Sequence, residues 1–394
     1  MNTPLLSIII PTRNRYKTLI PVIESIVSHI ENSDIEIIIQ DNSDDNSDFL
    51  SYLNNKNFQI INYFYEQTKL SMVENSENAI SNSNGKYLIF IGDDDTVNPI
   101  ILDVVKKMDK ENIKSLIYPI ANYFYSDVKF NKQYGFNRPS ALSFNKNITS
   151  CIETLSSNEE LNRVQKIGGI FILDLPRLYH GIVRKDLVES IRFVYGKYIP
   201  GPCPDMTLSV ALATIINKYH RINLPLSVAG NSFASEGGKG PTNAHIVKLE
   251  DKSWLNSADI QDWDNNIPKI FSRQTIWCQS LFHVLSINDK PRINYKALYD
   301  DMIFSCPKKA LDYVVYLYNK IDLPFFERIL SLTKAFLKRY VRNVLFLAPT
   351  SFIEFSIKLR GDYKKKNIHL QVNSIDECMS ILQKESMNIL QNNL

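Results

Sequence analysis

Cysteine is scarce in this 394-residue sequence, and long apolar runs are absent. The five cysteines are odd in number and include no CxxC pair, so neither a disulfide framework nor a cysteine-ligated zinc site is expected. No charged-then-apolar signal segment opens the chain, and no stretch approaches about 18 consecutive apolar residues. These absences predict a cytoplasmic protein without a membrane-spanning helix.

The N-terminal third alternates short apolar strands with helix-sized amphipathic stretches. Strands are predicted at Leu6 to Pro11, Ile35 to Gln40, Gln59 to Tyr65 and Lys86 to Ile91. This rhythm predicts βαβ units and therefore an α/β fold with a mostly parallel sheet flanked by helices. With 44% hydrophobic residues, the chain can bury a large core.

Polar clusters end three of these strands. Thr12 to Arg15 follow the first strand, Asp41 to Asp45 the second, and Asp93 to Asp95 the fourth. Because such sheets bind ligands beyond the carboxyl ends of their strands, we expect the three clusters to converge at one edge. Three consecutive carboxylates favour a cation, and an acidic strand tip can present a hard divalent metal to a phosphate. The alternatives are an acidic turn that caps the helix after Pro99 and an Asx-rich turn without a ligand at residues 41–45.

The order of these motifs resembles the inverting GT-A type glycosyltransferases of family 2. The strings are SIIIPTRNR at residues 7–15, DNSDD at 41–45 and NGKYLIFIGDDD at 84–95. The resemblance covers residues 1–100 well and extends more loosely to about Val228. It implies a GT-A type sheet with a Rossmann-like nucleotide-binding half.

In that family, the end of the first strand and the aspartate after the second hold the nucleotide of a nucleotide-sugar, and the acidic cluster holds a metal. The resemblance implies that Asp94, Asp95 or both bind Mn²⁺ or Mg²⁺. The family has an aspartate where this chain has Gly92, so Asp93 takes the role of the missing acid. The implied nucleotide contacts are Pro11, Thr12, Arg13, Arg15, Asp41 and Asp93.

Elementary chemistry supports part of this assignment. A divalent cation held by one or two carboxylates neutralises the charge that develops on a nucleoside diphosphate leaving group. A carboxylate at Asp41 can accept the imide N–H of uracil or thymine, which cytosine lacks. UDP or dTDP is therefore the favoured carrier.

An inverting transfer also needs a general base for the acceptor hydroxyl, and the candidate is Asp205. It follows a Pro- and Gly-rich loop at residues 200–204 and precedes an apolar helix to about Ile216. The family usually has two acids here, whereas in this chain Pro204 precedes the single aspartate. The alternative is that Asp205 is only the N-cap of the helix.

Two histidines are weaker candidates. His180 lies in a segment that resembles the family's strand before the acceptor region, which implies a place near the acceptor; a structural histidine is the alternative. His245 follows the glycine-rich stretch at 235–241, which is not a P-loop because Phe233 stands where the first glycine is needed. We interpret that stretch as a flap that closes over nucleotide, with His245 as a metal or phosphate contact. Disorder without function is the alternative.

Beyond about Trp254 the pattern becomes helical, which predicts a catalytic domain at residues 1–250 and a mainly helical region at 251–394. Residues 324–366 carry ten Lys and Arg against three acids, a net charge of +7 in a chain of +3. One helical face within this segment is apolar, at Phe326, Ile329, Leu330, Leu337, Tyr340, Val341 and Val344.

Such a basic amphipathic helix can lie in an anionic membrane interface. The alternatives are that its apolar face packs on the catalytic domain or forms an oligomer contact. Nucleic acid is not an expected partner, because no nucleic-acid motif accompanies the charge.

The sequence therefore predicts a glycosyltransferase, cytoplasmic or peripheral at the inner face of the plasma membrane. It would move a sugar from a UDP- or dTDP-sugar to a saccharide or lipid-linked saccharide with inversion. The resemblance suggests bacterial capsule, O-antigen or other cell-surface polysaccharide synthesis. One alternative is a sugar-1-phosphate nucleotidyltransferase. Such enzymes typically have a glycine-rich loop after the first strand, whereas TRNR at residues 12–15 has no glycine. The other alternative is a non-catalytic nucleotide-sugar-binding module.

Overall fold

A computed structural model of the protein describes residues 3–30, 34–56, 58–288, 291–360 and 365–391. Its strands are β1 (Leu6–Thr12), β2 (Ile35–Asp41), β3 (Ile61–Tyr65), β4 (Tyr87–Phe90), β5 (Thr96–Val97), β6 (Ser115–Ile117), β7 (Ala121–Phe124), β8 (Ala141–Asn145), β9 (Ile152–Ser156), β10 (Gly181–Arg184), β11 (Lys218–Ile222), β12 (Ser227–Asn231), β13 (Val247–Lys248), β14 (Ile270–Phe271) and β15 (Lys366–Leu370).

The helices are α1 (Tyr16–His29), α2 (Ser47–Lys56), α3 (Met72–Ser81), α4 (Ile101–Lys110), α5 (Ser157–Lys166), α6 (Lys185–Tyr195), α7 (Pro204–Ile215), α8 (Glu236–Lys239), α9 (Ser257–Gln261), α10 (Arg273–Asn288), α11 (Tyr295–Ser305), α12 (Lys308–Tyr318), α13 (Phe325–Leu347), α14 (Thr350–Arg360) and α15 (Ile375–Gln391). Two short 3₁₀ turns lie at Gly240–Thr242 and Leu249–Asp251.

The main sheet has eight strands in the order β3-β2-β1-β4-β10-β6-β11-β9. β3, β2, β1 and β4 run parallel, while β10 is antiparallel to both of its neighbours. The register places Thr12 of β1 beside Asp41 of β2, so the polar strand ends meet at one edge. The predicted fold class, a helix-flanked α/β sheet with a helical C-terminal region, is confirmed.

The apolar strands are continuous runs because both faces of the sheet are covered. Ile8 and Ile10 belong to one buried cluster and Ile9 to the other, as alternation along a strand requires. The cluster that contains Ile9 continues through α7 into α10, α11 and α12. α7 is apolar on all sides because it is buried among these elements.

A second sheet, which the sequence did not predict, has the order β15-β8-β7-β12-β5. β15 comes from the C-terminal region and pairs antiparallel with β8, and α15 then packs on α1. The C-terminal segment thus returns to the N-terminal half of the chain. The boundary at residue 250 stays a prediction. In the described ranges, no helix has the length and apolar character needed to cross a bilayer.

Candidate active site

The acidic loop after β4 is joined to the end of β1 by a buried ion-pair group. Arg15 lies 2.7 Å from Oδ1 of Asp93 and 2.9 Å from Oδ2 of Asp94. The hydroxyl of Thr12 donates to Oδ2 of Asp93 at 2.7 Å. The first-strand cluster and the aspartate cluster therefore meet at the sheet edge, as the strand order predicts.

Asp94 is held on one side only. Its Oδ2 accepts hydrogen bonds from the backbone N–H of Ser232 at 3.0 Å and from the Ser232 hydroxyl at 2.7 Å. Among the described residues, no donor contacts its Oδ1. Burial raises the pKa values of Asp93 and Asp94, and the positive charge of Arg15 opposes this rise. A further cation beside Asp93 and Asp94 would, like Arg15, stabilise their buried negative charges.

Asp95 is engaged on both of its oxygens. Oδ1 accepts from the N–H of Gly230 at 2.8 Å, and Oδ2 accepts from Gly92 N–H at 2.6 Å and from the Tyr179 hydroxyl at 2.9 Å. Nε2 of His180 lies 3.1 Å from the same Oδ2. Burial alone would raise the pKa of Asp95, but His180 and the hydrogen bonds from the N–H groups of Gly92 and Gly230 lower it below its usual value. Asp95 therefore holds the loop in shape.

His180 is a buried neighbour of the acidic loop. Its Nδ1 lies 2.8 Å from the hydroxyl of Ser227, and the residue has a left-handed φ of 52°. That conformation costs a non-glycine residue free energy and persists only where surrounding contacts enforce it. Here the ring contacts Ser227 and Asp95. Its predicted place near the acceptor stays a prediction.

Whether a divalent metal fits this site depends on which aspartate oxygens accept no hydrogen bond within the protein. Within the described part of the chain, no three His, Cys, Asp or Glu side chains are grouped as a metal site. A cation that also binds a diphosphate needs only one or two carboxylates, because phosphate and water complete its coordination. Oδ1 of Asp94 meets that requirement, whereas Asp95 has no oxygen without a donor. The predicted ligand pair stays a prediction, with Asp94 the better placed member.

Asp41 lies at the predicted strand end but faces the protein. Its Oδ2 accepts from the hydroxyls of Tyr16 at 2.6 Å and Tyr63 at 2.8 Å, and its Oδ1 accepts from Ser43 N–H at 2.8 Å. The residue is fully buried. A role in reading the base requires the two tyrosine hydroxyls to move aside, and it stays a prediction.

Arg13 and Pro11 lie on the outer side of the same edge. Arg13 contacts Asp44 at 3.3 Å and the carbonyl oxygen of Leu70 at 3.4 Å, which links β1 to the loop after β3. β1 pairs with β4 only as far as Ile9. Pro11, which has no N–H, therefore lies past the end of that ladder.

Asp205 is the second residue of α7, so the alternative that it is the N-cap is wrong. Cys203 is the N-cap, and Pro204 occupies the first helical position. No other described side chain donates a hydrogen bond to the Asp205 carboxylate. Burial raises its pKa to about 6, with a smaller raising effect from Asp95 and an opposing effect from His180. A carboxylate that no other described side chain engages, with a pKa of about 6, can take a proton near neutral pH.

The glycine-rich stretch packs beside Ser232. It forms the short helix α8, whose N-cap Ser235 accepts from the N–H of Gly238, so the alternative of disorder is wrong. A Cβ at Gly238 would lie 1.8 Å from the carbonyl oxygen of Ser232. Among the described residues, no hydrogen bond or ion pair joins His245 to the aspartates, and burial lowers its pKa. The flap and the role of His245 stay predictions.

Two side chains that donate to the carboxylates of the acidic loop were not predicted. Ser232 holds Asp94, and Tyr179 holds Asp95. Ser232 follows β12, which belongs to the second sheet, so no strand rhythm pointed to it. The only local signal for Tyr179 is its place beside His180.

Comparison with known proteins gives one family. Residues 7–169 match the family described as Glycosyl transferase family 2. The comparison with curated proteins gives no match.

Among solved structures, S. aureus TarS 1–349 in complex with UDP-GlcNAc is similar at 15% identity and a TM-score of 0.44, over 79% of this chain and 83% of that chain. The same fragment in complex with UDP gives 14% identity and 0.42, over 80% and 87%. A longer TarS structure gives 16% and 0.41, over 79% of this chain and 50% of that one. With TM-scores of 0.44 and lower, these likenesses say nothing about the chemistry of this chain.

Proposed function

We propose that this chain, whose residues 7–169 match glycosyl transferase family 2, transfers a sugar to a saccharide acceptor with inversion at the anomeric carbon. The family predicted from the sequence is confirmed for residues 7–169, and this match supports a glycosyltransferase. The nucleotide-sugar donor is part of our proposal. Inversion, metal use, the nucleotide base and the acceptor are what we propose beyond that.

The observation that carries the proposal is the group formed by Thr12, Arg15, Asp93, Asp94 and Ser232. Its members come from β1, from the loop after β4 and from the end of β12, yet they form one hydrogen-bonded unit. It lies at the carboxyl ends of parallel strands, where α/β sheets bind nucleotides. The proposed nucleotide contacts and the proposed metal ligand are therefore neighbours, as a diphosphate bound to a cation needs them to be.

A bound Mn²⁺ or Mg²⁺ would neutralise charge on the departing nucleoside diphosphate. Asp94 would hold the cation through Oδ1, while Asp95 fixes the loop. Arg15 orients Asp93 and Asp94, and as a guanidinium it is also suited to contact a diphosphate oxygen.

Asp205 is the proposed general base. It removes the proton of the acceptor hydroxyl as that oxygen attacks the anomeric carbon. One base and one in-line displacement give inversion. Support comes from the lack of any hydrogen bond between its carboxylate and another described side chain, and from its raised pKa of about 6.

The donor and the acceptor are proposed by class. UDP or dTDP is the proposed carrier, because Asp41 lies beside Thr12 at the nucleotide edge. A saccharide or lipid-linked saccharide of bacterial capsule, O-antigen or similar polysaccharide synthesis is the proposed acceptor, with the enzyme at the inner face of the plasma membrane. The family resemblance and the basic C-terminal segment support this acceptor.

The test is the release of nucleoside diphosphate from a panel of UDP-, dTDP-, GDP- and CDP-sugars, with Mn²⁺ and with EDTA. We expect release from UDP- or dTDP-sugars that EDTA abolishes and Mn²⁺ restores. Asp94→Asn should lose this release, whereas Asp103→Asn, a matched change at an exposed aspartate of α4, should retain it.

Two outcomes would overturn the proposal. Pyrophosphate release from a nucleoside triphosphate and a sugar phosphate would identify a nucleotidyltransferase. Protection against thermal unfolding by nucleotide-sugars, without turnover in any acceptor or hydrolysis assay, would identify a binding module. Full activity in chelator would remove the metal from the proposal.

A further inference from the structure

Helix α13 exposes its apolar side. We define the α13 apolar face as Phe326, Leu330, Leu337, Tyr340, Val344 and Leu347. These side chains are between 48% and 85% exposed, although they recur at helical spacing like a core-facing stripe. The alternative that this face packs on the catalytic domain is therefore wrong.

The opposite side of α13 fixes the helix to the protein. Ser331 and Ala335 are buried there, and the Ser331 hydroxyl donates to the carboxylate of Asp300 in α11 at 2.7 and 2.8 Å. Arg339 donates to the carbonyl oxygens of Ile303 and Cys306 at 2.9 and 2.8 Å. Residues 331, 335 and 339 are one turn apart. These hydrogen bonds hold the polar side of the helix against the protein, so the apolar face points away from it.

Helix α14, which follows α13, also exposes apolar side chains. Phe352 and Phe355 of that helix are both more than half exposed. Lys132 donates to the carbonyl oxygens of Phe346 and Ala348, which fixes the junction of the two helices. Large apolar side chains exposed on two successive helices favour an interaction site.

The charge around this surface selects its partner. Lys334 lies one turn from both Leu330 and Leu337, and Lys338 lies one turn further along the same edge. Counted from the sequence, residues 324–366 carry a net +7, so the rest of the chain carries −4. A second copy would bring the same positive charge to the contact and be repelled. An anionic lipid surface would attract it.

We propose that α13 lies flat in the interface of an anionic lipid bilayer, with its apolar face in the acyl boundary and Lys334 and Lys338 at the headgroups. A flat orientation follows from six charged residues distributed along the 23 residues of the helix, which exclude a spanning one. An interfacial helix has this combination of a wide apolar arc and a basic edge. The inference does not depend on the donor chemistry.

The test is sedimentation of the full chain with sucrose-loaded vesicles, without any sugar donor. Vesicles of phosphatidylcholine with about a third phosphatidylglycerol should bind the protein, and pure phosphatidylcholine vesicles should bind it at least about tenfold more weakly. The double variant Leu330→Gln/Leu337→Gln should lose at least about tenfold in affinity for the anionic vesicles. Lys334→Glu/Lys338→Glu should lose a similar factor and most of the salt dependence.

Phe193→Gln is the matched control, because Phe193 is a 90% exposed aromatic residue on α6, outside this surface. It should bind vesicles like the unmodified chain. Circular dichroism and thermal unfolding of each variant separate lost binding from lost folding. Equal binding to neutral vesicles, or no binding to either kind, would overturn the proposal. So would a dimer in light scattering that the Gln variant dissociates, because that result assigns the surface to a second copy.

Discussion

The acidic edge of the main sheet and helix α13 depart from the usual distribution of side chains in opposite directions. At the edge, Asp93, Asp94 and Asp95 are almost fully buried, where carboxylates are rarely found. On α13, large apolar side chains lie in solvent while a serine and an arginine face the protein. In both regions the environment is unfavourable for the side chains: buried carboxylates at the sheet edge, and apolar side chains in water on α13.

The two regions differ in what a ligand must displace. The edge carries internal partners, because Arg15 pairs with two of the aspartates and Ser232 with one. A ligand there competes with bonds that already exist. A ligand that binds the α13 apolar face displaces only water. Substitutions at the edge should therefore disturb function and folding strongly, whereas substitutions on α13 should leave folding almost unchanged.

The largest expected effect is at Asp205. Asp205→Asn keeps the side-chain shape but cannot accept the acceptor proton, so kcat should fall by roughly 10² to 10⁴. The Tm and the Kd for UDP should change little, because no other described side chain depends on this carboxylate. Product analysis by NMR should give an inverted anomeric centre. Near-normal turnover, or a retained configuration, would place the base elsewhere.

A second substitution pair tests the two neighbours in the acidic loop. Asp95→Asn weakens a group that accepts from three donors and contacts His180, so it should lower the free energy of unfolding by about 3 kcal/mol. Asp94→Asn should lower it by less while abolishing metal-dependent release. Denaturant unfolding measures both. Equal losses of stability would contradict the distinction between a supporting and a ligating aspartate.

The pH profile of kcat/KM tests the raised pKa of Asp205, about 6. A base works only when deprotonated, so the rate should be constant above that pKa and fall about tenfold for each pH unit below it. The unmodified chain should show this acid limb in a buffer series from pH 4.5 to 8. A profile without an inflection between pH 5 and 7 would contradict the assignment.

The nucleotide preference is a smaller effect. UDP or dTDP should bind roughly tenfold more tightly than CDP, which is the order of one hydrogen bond to a charged group after the cost of displacing Tyr16 and Tyr63 from Asp41. Isothermal titration calorimetry gives the ratio. The preference should disappear in Asp41→Asn. Equal Kd values for UDP and CDP in the unmodified chain would remove Asp41 from base recognition.

The smallest effect is expected on α13. Leu337→Gln should change the free energy of unfolding by no more than about 0.5 kcal/mol, because the side chain is 61% exposed and glutamine is a good helix former. Leu298→Gln in α11, a fully buried leucine, is the contrast and should lose several times more. A large loss at Leu337 would mean that its face is covered in solution.

Local patterns predicted the strand ends, and long-range contacts decided what each side chain does there. The apolar runs predicted β1, β2 and β4, and their order predicted that Thr12, Arg15 and Asp93 meet. The same patterns could not show that hydroxyls from α1 and β3 occupy Asp41. The period of α13 predicted an apolar face, but whether a face is covered depends on distant elements.

Two misses have identifiable causes. β15 is five residues long and mostly polar, so its sequence gives a weak strand signal. It forms a strand by pairing with β8. At α7, a proline at the first helical position places the N-cap at Cys203, two residues before Asp205. That signal was present in the sequence, and it excludes Asp205 from the cap.

At Gly230, strand β12 lies directly against the backbone of the acidic loop. A Cβ at this position would lie 1.7 Å from the backbone oxygen of Asp94, so the strand β12 and the loop are in direct backbone contact. β12 belongs to the second sheet, whereas the loop leaves β4 of the first. Any sliding of one sheet against the other must therefore shift Asp94 and Asp95. We therefore expect a ligand bound by Asp94 to fix the position of β12 relative to β4 as well as that of the loop.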